Sequence, residues 1–321
     1  MENTDENLED SKLKKLIDKL IEKKLRLSYS SLKNFTSPIN FLRYKTKVFT
    51  KSKDMLFGSI CDCFLFTPED FDNDFLVLKS IPSSDNQVLL SNKLIEIGLE
   101  QKLTTKIIEE EWSKVYKSGS ALKTYDALKP YIQGILSKKD IVTQDMVDEA
   151  KAIIDNLKKQ KDVIELLEQM TEVQKKVEWT DNGWDFIGYL DTFSEHEQLI
   201  VDGKYTRDAN PEKFMRDAFN LDYFMQGGMY CYALKKAGIC DRPRFKWLIY
   251  DKTFNYAIIE MDYSYIMYGI RKYKYLLENM DTMVKYKQFY RSYGFFKKEF
   301  LAVKPNYAKG FELKKPLKSL Y

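Results

Sequence analysis

LIVDGKYT, residues 199–206, reads as a strand whose apolar start gives way to an acid and a base two positions apart, Asp202 and Lys204. Side chains at i and i+2 of a strand leave the same face, so the two charges project together. Burying either one alone is costly. A strand that carries both needs a reason to hold them side by side.

The preceding run, KKVEWTDNGWDFIGYLDTFSEHEQ, offers two more strands, with Asn182-Gly183 as a tight-turn signal between them. Asp191 closes the second of these. If that strand and the next pair as a hairpin through FSEHEQ, Asp191 comes level with Asp202, and two carboxylates and an ammonium converge. The carboxylates would repel unless a cation joins them. Mg²⁺ or Mn²⁺ is held by one or two carboxylates plus water and phosphate oxygens, an arrangement suited to phosphodiester cleavage. Lys204 would then orient or help deprotonate the attacking water and stabilise the growing negative charge.

The rest of the chain bounds this reading. Its 321 residues can bury a sizeable core, and 52 Lys and Arg against 48 Asp and Glu is too even a balance to name a polyanionic partner. The four cysteines, Cys61, Cys63, Cys231 and Cys240, form no Cys-x-x-Cys, which argues for reduced thiols rather than a zinc or iron–sulfur site. No apolar run approaches a membrane span and the N-terminus is acidic, so the expectation is a soluble cytoplasmic protein without a membrane partner. His196, the one histidine, lies in a polar turn, which disfavours a Ser-His or Cys-His hydrolase. Glu178 is an additional acidic candidate at a strand start, and Arg271, Lys272 and Lys274 are candidates to face a phosphate backbone.

Along the chain, residues 1–27 hold an amphipathic helix with Leu13, Leu16, Ile17, Leu20 and Ile21 on one stripe. Ser30 is read as the cap of a short helix that stops before Pro38, and a second short helix follows. A third helix runs from about Asp54 to Phe66. There Gly58 permits close approach to the sheet, and Asp62, one turn later, is placed to reach the metal patch. Residues 93–175 read as an inserted helical subdomain between the two parts of the core, 28–92 and 176–295. One helical stretch extends from Asn210-Pro211 to Gly238. The tail, 296–321, is basic, with seven Lys against two Glu. The fold class is α/β, a mixed sheet of about five strands flanked by helices.

Three further segments carry a resemblance: the Ser-rich LSYSSLKNFTSPINF, the helix and stop FGSICDCFLFTPEDF, and Gln226-Gly-Gly-Met-Tyr230, a Gln-x-x-x-Tyr run following the Asp-x-Lys strand. Together with Asp191 and Asp202-Gly203-Lys204 they resemble the PD-(D/E)XK nuclease superfamily, within it the phage and RecB-like exonucleases of the exodeoxyribonuclease VIII and lambda exonuclease type. The resemblance implies that Asp191 and Asp202 are metal ligands, with the Gly203 carbonyl a further one, and that Lys204 is the catalytic lysine. Gln226 and Tyr230, one helical turn apart, would order the site and the substrate backbone. The sequence departs from the family in presenting Asp62 where His or Glu is usual, and Gly203 where the middle residue is commonly apolar.

The implied function is Mg²⁺- or Mn²⁺-dependent exonuclease action on double-stranded DNA ends in phage-type recombination or DNA processing, in the cytoplasm of a bacterial host if the chain is phage-encoded. A single-strand annealing protein is the implied partner, and a homo-oligomer is compatible with the family. The alternatives are an endonuclease or end-trimming nuclease of the same fold, or a catalytically inactive nuclease fold serving as a DNA-binding or structural module. The lack of a cysteine cluster weighs against a Cas4-like trimming enzyme.

Overall fold

The computed structural model describes residues 2–47 and 51–297, with side chains from residue 11 onward within those spans. Most of the basic tail, residues 298–321, lies outside the described residues.

Five strands form the central sheet: β3 (Glu172–Asp181), β4 (Trp184–Ser194), β5 (Leu199–Tyr205), β6 (Arg244–Tyr250) and β7 (Tyr256–Glu260), in that spatial order. The pairing β3–β4–β5 is the antiparallel meander expected from the sequence, β5–β6 is parallel, and β6–β7 is antiparallel. Asn182 and Gly183 turn the first hairpin with φ of 49° and 77°, the left-handed pair that Asn-Gly adopts with least strain. The sheet is mixed and the fold is α/β, as read from the sequence.

Before the sheet come α1 (Glu2–Ile21), α2 (Tyr29–Lys33), α3 (Pro38–Thr46) and α4 (Lys53–Phe66). Leu16 and Leu20 of α1 are buried, whereas Ile21 at its end is 44% exposed and leaves the expected stripe. Ser28, not Ser30, caps α2: its hydroxyl accepts from the Ser31 amide while the Ser31 hydroxyl accepts from the Ser28 amide. Ser37 caps α3, which opens on Pro38.

The helix-rich stretch from 93 to 175 divides its allegiance. After α5 (Phe71–Asp74) and β1 (Phe75–Leu78), the helices α6 (Asp85–Glu100), α7 (Thr105–Val115) and α8 (Ala121–Leu136) enclose their own small cluster around Leu90, Leu94, Ile108 and Ile132. β2 (Asp140–Thr143) then pairs with β1 in parallel. α9 (Gln144–Leu157) and α10 (Lys161–Glu168) instead join α4, through Ile60, Leu65, Val147, Ile154 and Val163, in the apolar layer beneath the main sheet.

The opposite face of the sheet is covered by α1 to α3 and by α11 (Pro211–Asn220), α12 (Tyr223–Lys236) and α13 (Tyr263–Lys285). The single helical stretch read from 210 to 238 is in fact two helices, broken where Asp222 takes a φ of 57° and the Leu221 carbonyl accepts from the Tyr29 hydroxyl. α12 and α13 pack with almost no side chain between them at Gly228 and Gly269, where an added Cβ would meet backbone at 2.6 Å and 2.1 Å. Both layers grip β5 and β6 alternately: Ile200, Phe245, Trp247 and Ile249 enter one, Leu199, Val201, Leu248 and Tyr250 the other.

Asp251 ties the end of β6 to the loop before α11. Only 3% exposed, its carboxylate accepts from the amides of Ala209 (2.9 Å), Thr253 (2.8 Å) and Asn255 (3.2 Å) and from the Thr253 hydroxyl (2.6 Å). Burial by itself would raise its pKa, but these donors outweigh it and hold the carboxyl below its usual 3.8. Asp251→Asn presents an N–H₂ to donors that need an acceptor, and is expected to cost about 2–3 kcal/mol at neutral pH. Because the wild-type contribution is complete above the unfolded-state pKa and lost as pH falls through the lower folded-state value, the gap between the two proteins narrows in acid. Urea melts at pH 7 and pH 3 check this, and an equal gap at both would contradict it.

Candidate active site

Asp202 and Lys204 leave β5 toward α12, and Gly203 between them faces α4. Lys204 forms an ion pair with Asp202, and the Gln226 amide of α12 donates to the other Asp202 oxygen at 3.0 Å. The Asp202 side chain is only 2% exposed. Tyr230, one turn beyond Gln226, lies under β4, its ring filling the space that a Cβ on Gly188 would enter at 2.7 Å. Burial first, then the nearby Asp202 charge, pushes the Tyr230 phenol up to about 12.

Asp191 occupies a break in the ladder. β4 pairs with β5 only from Ser194↔Leu199 to Thr192↔Val201, so pairing stops one level before Asp191 and Asp202. On its other side the level of Gln174 and Asp191 is skipped, and Gln174 has a φ of 48°. A local interruption of this kind re-aims a side chain. Released from both neighbours, the Asp191 carboxylate accepts from the Gly203 amide at 3.1 Å.

Asp62 approaches from the opposite face of the sheet. The Tyr250 hydroxyl of β6 donates to it at 3.2 Å. The close contact with α4 is made by Gly203 rather than Gly58: a Cβ on Gly203 would stand 2.8 Å from the Phe66 ring and 3.4 Å from the Asp62 carboxylate, while a Cβ on Gly58 would meet nothing within 4 Å. This accounts for glycine at the middle of Asp-x-Lys, since α4 leaves no room for the usual apolar side chain.

The electrostatics follow from three acids around one base. Burial raises the pKa of Asp202, with Lys204 opposing it. Burial and then the Asp202 charge raise Asp191 well above the usual range, and burial raises Asp62 to about 6 against the pull of Lys204. For Lys204, burial alone would lower the value, but Asp202, Asp191 and Asp62 together hold it above its usual position, so it stays an ammonium. The cluster carries more negative charge than Lys204 offsets. Among the described residues no three acidic, histidine or cysteine side chains make a metal site by themselves. Asp191, Asp202 and the Gly203 carbonyl are nonetheless a hard, all-oxygen donor set of the kind that suits Mg²⁺, which keeps several waters and takes few protein ligands. The residues fit such an ion in kind and in charge.

The site opens on a cleft of about 780 Å³ lined by Lys51, Asp62, Gly203, Lys204, Arg207 and Tyr223, among others. A second cleft of the same volume, lined by Arg244, Met261 and Ile266 at the far end of β6, holds none of the residues read from the sequence as a site.

The remaining candidates lie elsewhere. Glu178 pairs with Arg26 and Lys176, and His196 is exposed beside Glu197. Lys274 is spent on Asp181 at 2.5 Å, and Lys272 lies 3.8 Å from Asp222. Two residues near the site were not read from the sequence. Tyr223 has both Lys204 (5.5 Å) and Lys33 (5.3 Å) over its ring, and Tyr250, 1% exposed, holds Asp62. A tyrosine inside the apolar strand RFKWLIYD was the available signal, because a buried phenol needs a partner.

No curated protein matches the chain. A crystal structure from Eubacterium rectale, of a protein provisionally named an exonuclease, is similar at 13% identity and a TM-score of 0.39, over 66% of this chain and 88% of that one. Residues 28–291 match the family model described as a PDDEXK-like domain of unknown function (DUF3799), and the chain belongs to that family.

Proposed function

We propose that the protein is a divalent-metal-dependent deoxyribonuclease that hydrolyses phosphodiester bonds as an exonuclease at double-stranded DNA ends. The observation that carries this reading is the gathering of Asp191, Asp202 and Lys204 around Gly203 at a break in the sheet, with Gly203 and Lys204 lining an open cleft. Asp191, Asp202 and the Gly203 carbonyl would hold Mg²⁺ or Mn²⁺. When bound, that ion supplies Lewis-acid polarisation of the phosphate and acidification of water.

The chain's own residues do the rest. Lys204, an ammonium, donates to the phosphoryl oxygen on which charge grows and needs no reorganisation to do so. Gln226 fixes the rotamer of Asp202, and Tyr230, one turn on, packs against Gly188 of β4. Asp62, held by Tyr250, adds a third negative charge from the α4 side. Arg207 and Lys252 on the cleft wall suit the phosphates of the incoming strand, while Lys51 beside them pairs with Asp140 at 2.5 Å.

The test is incubation of linear and circular duplexes, end-labelled on either strand, with Mg²⁺ and with EDTA. The expected result is progressive loss of the linear duplex with Mg²⁺ and none with EDTA, the circle remaining intact. Cutting of the circle would convert the reading to an endonuclease. No cleavage of any DNA would leave a binding module.

A further inference from the structure

At the rim of the cleft, two large rings stand in solvent in an ordered array. Phe219 at the end of α11 is 52% exposed and Tyr268 of α13 is 44% exposed, yet they stack 6.4 Å apart with planes only 15° from parallel. Both rest on the buried ring of Phe224, at 5.6 Å and 5.0 Å, and Tyr265 lies nearly parallel behind Tyr268 at 11°. The rings are therefore fixed in advance. Single exposed apolar residues are ordinary, but a backed, co-aligned pair is a platform.

The charges beside it match a polyanion. Arg216 precedes Phe219 by one turn and Arg271 follows Tyr268 by one turn, both exposed and, among the described residues, in none of the ion pairs. Of the acids nearby, Asp222 lies beside Lys272, and Asp217 faces the cleft side rather than the rings. Tyr275, 46% exposed, continues the same face of α13 about 10 Å beyond Tyr268. Continuity with the cleft is direct, since Asn220 and Leu221, immediately after Phe219, are part of its wall.

We propose that this face binds single-stranded DNA, bases stacking on Phe219 and Tyr268 and phosphates meeting Arg216 and Arg271, as the continuation of a strand that enters or leaves the cleft. The inference rests on the proposed function only for the strand being DNA. Stacking of this kind tolerates any sequence, because every base offers a π-face.

The test uses the full chain in EDTA and a fluorescein-labelled oligo(dT) of twenty nucleotides, followed by anisotropy. Phe219→Ala and Tyr268→Ala are each expected to weaken binding about 10-fold or more, and the double variant more again. Phe219→Trp, which keeps a stacking face, stays close to wild type. Arg271→Ala flattens the dependence of log affinity on log salt by about 0.7. Unchanged affinity in the double variant overturns the proposal. So does a changed oligomeric state by light scattering with unchanged affinity, which would make the face a contact between copies. Should the alanine variants fail to fold, the tryptophan and arginine variants decide it: loss of binding in Phe219→Trp, or an unaltered salt slope in Arg271→Ala, counts against it. Addition of Mg²⁺ and linear duplex separates this from the hydrolysis reading. Absent cleavage with weakened oligo(dT) binding in the double variant removes the nuclease and leaves the platform.

Discussion

Lys204→Ala and Asp202→Asn are expected to lower Mg²⁺-dependent DNA cleavage by about 10³-fold, the scale on which loss of one preorganised charge at a reacting centre is felt. The two substitutions act from opposite sides of one ion pair. Without Lys204 the developing phosphoryl charge has no ammonium beside it, and buried Asp202 and the partly buried Asp191 and Asp62 lose the ammonium they share. Without the Asp202 charge the donor set of Asp191, Asp202 and the Gly203 carbonyl loses one of its two anionic members. Duplex affinity in EDTA should persist, because it rests on phosphate contacts spread over the surface. Removing one partner of a buried pair also costs stability, so the thermal melt must be recorded beside the activity. Turnover near wild type in either variant would end the assignment. Asp62→Ala should reduce cleavage with partial rescue by excess Mn²⁺, since it enters from the other face of the sheet and is held by Tyr250.

Among the glycines of the described residues, Gly269→Ala is expected to be the most damaging addition of a methyl group. The new Cβ would lie 2.1 Å from the Phe224 carbonyl oxygen and 3.2 Å from the Gly228 Cα. Neither contact can be relieved by turning a side chain, because both partners are backbone. The helices α12 and α13 would have to separate, and with them the buried contacts of Phe224, Tyr273, Leu277 and Met280. A loss of at least ~3 kcal/mol follows, the upper part of what overpacking costs. That is a large share of the ~5–15 kcal/mol that holds a domain folded. A urea midpoint within experimental error of wild type would show that the two helices can slide apart without penalty. Because α12 carries Gln226 and Tyr230, a surviving Gly269→Ala protein should also lose activity.

The parts of this molecule legible in the sequence are those decided by local geometry. Asn182-Gly183 makes its turn, Pro211 opens its helix, and Asp202 and Lys204 share a face because strand alternation leaves no other choice. Gln226 and Tyr230 fall on one side of α12 for the corresponding helical reason. What escaped was decided by neighbours distant in the chain. Ser28 rather than Ser30 caps α2, since a run of serines offers several caps and only the reciprocal bond with Ser31 selects one. The break at Asp222 follows from a left-handed backbone, and the kink at Gln174 has no local signature at all. The docking of α9 against α4 joins segments about ninety residues apart, whose periodicity says only that each has an apolar face.

The position of Asp62 also sets an order of events during synthesis. It precedes Asp202 by 140 residues, and β6, which supplies Tyr250, comes later still. At about 5–20 residues added per second, α4 leaves the ribosome on the order of ten seconds before β5 can meet it. In the interval α5 emerges, with Phe71 stacking on Phe64, and then α9 and α10, which cover the apolar side of α4. Contacts that span so much chain close late and slowly. On the proposed function, a nascent chain therefore carries its acids and its lysine unassembled, and becomes able to cut nucleic acid only after its own translation has passed β6.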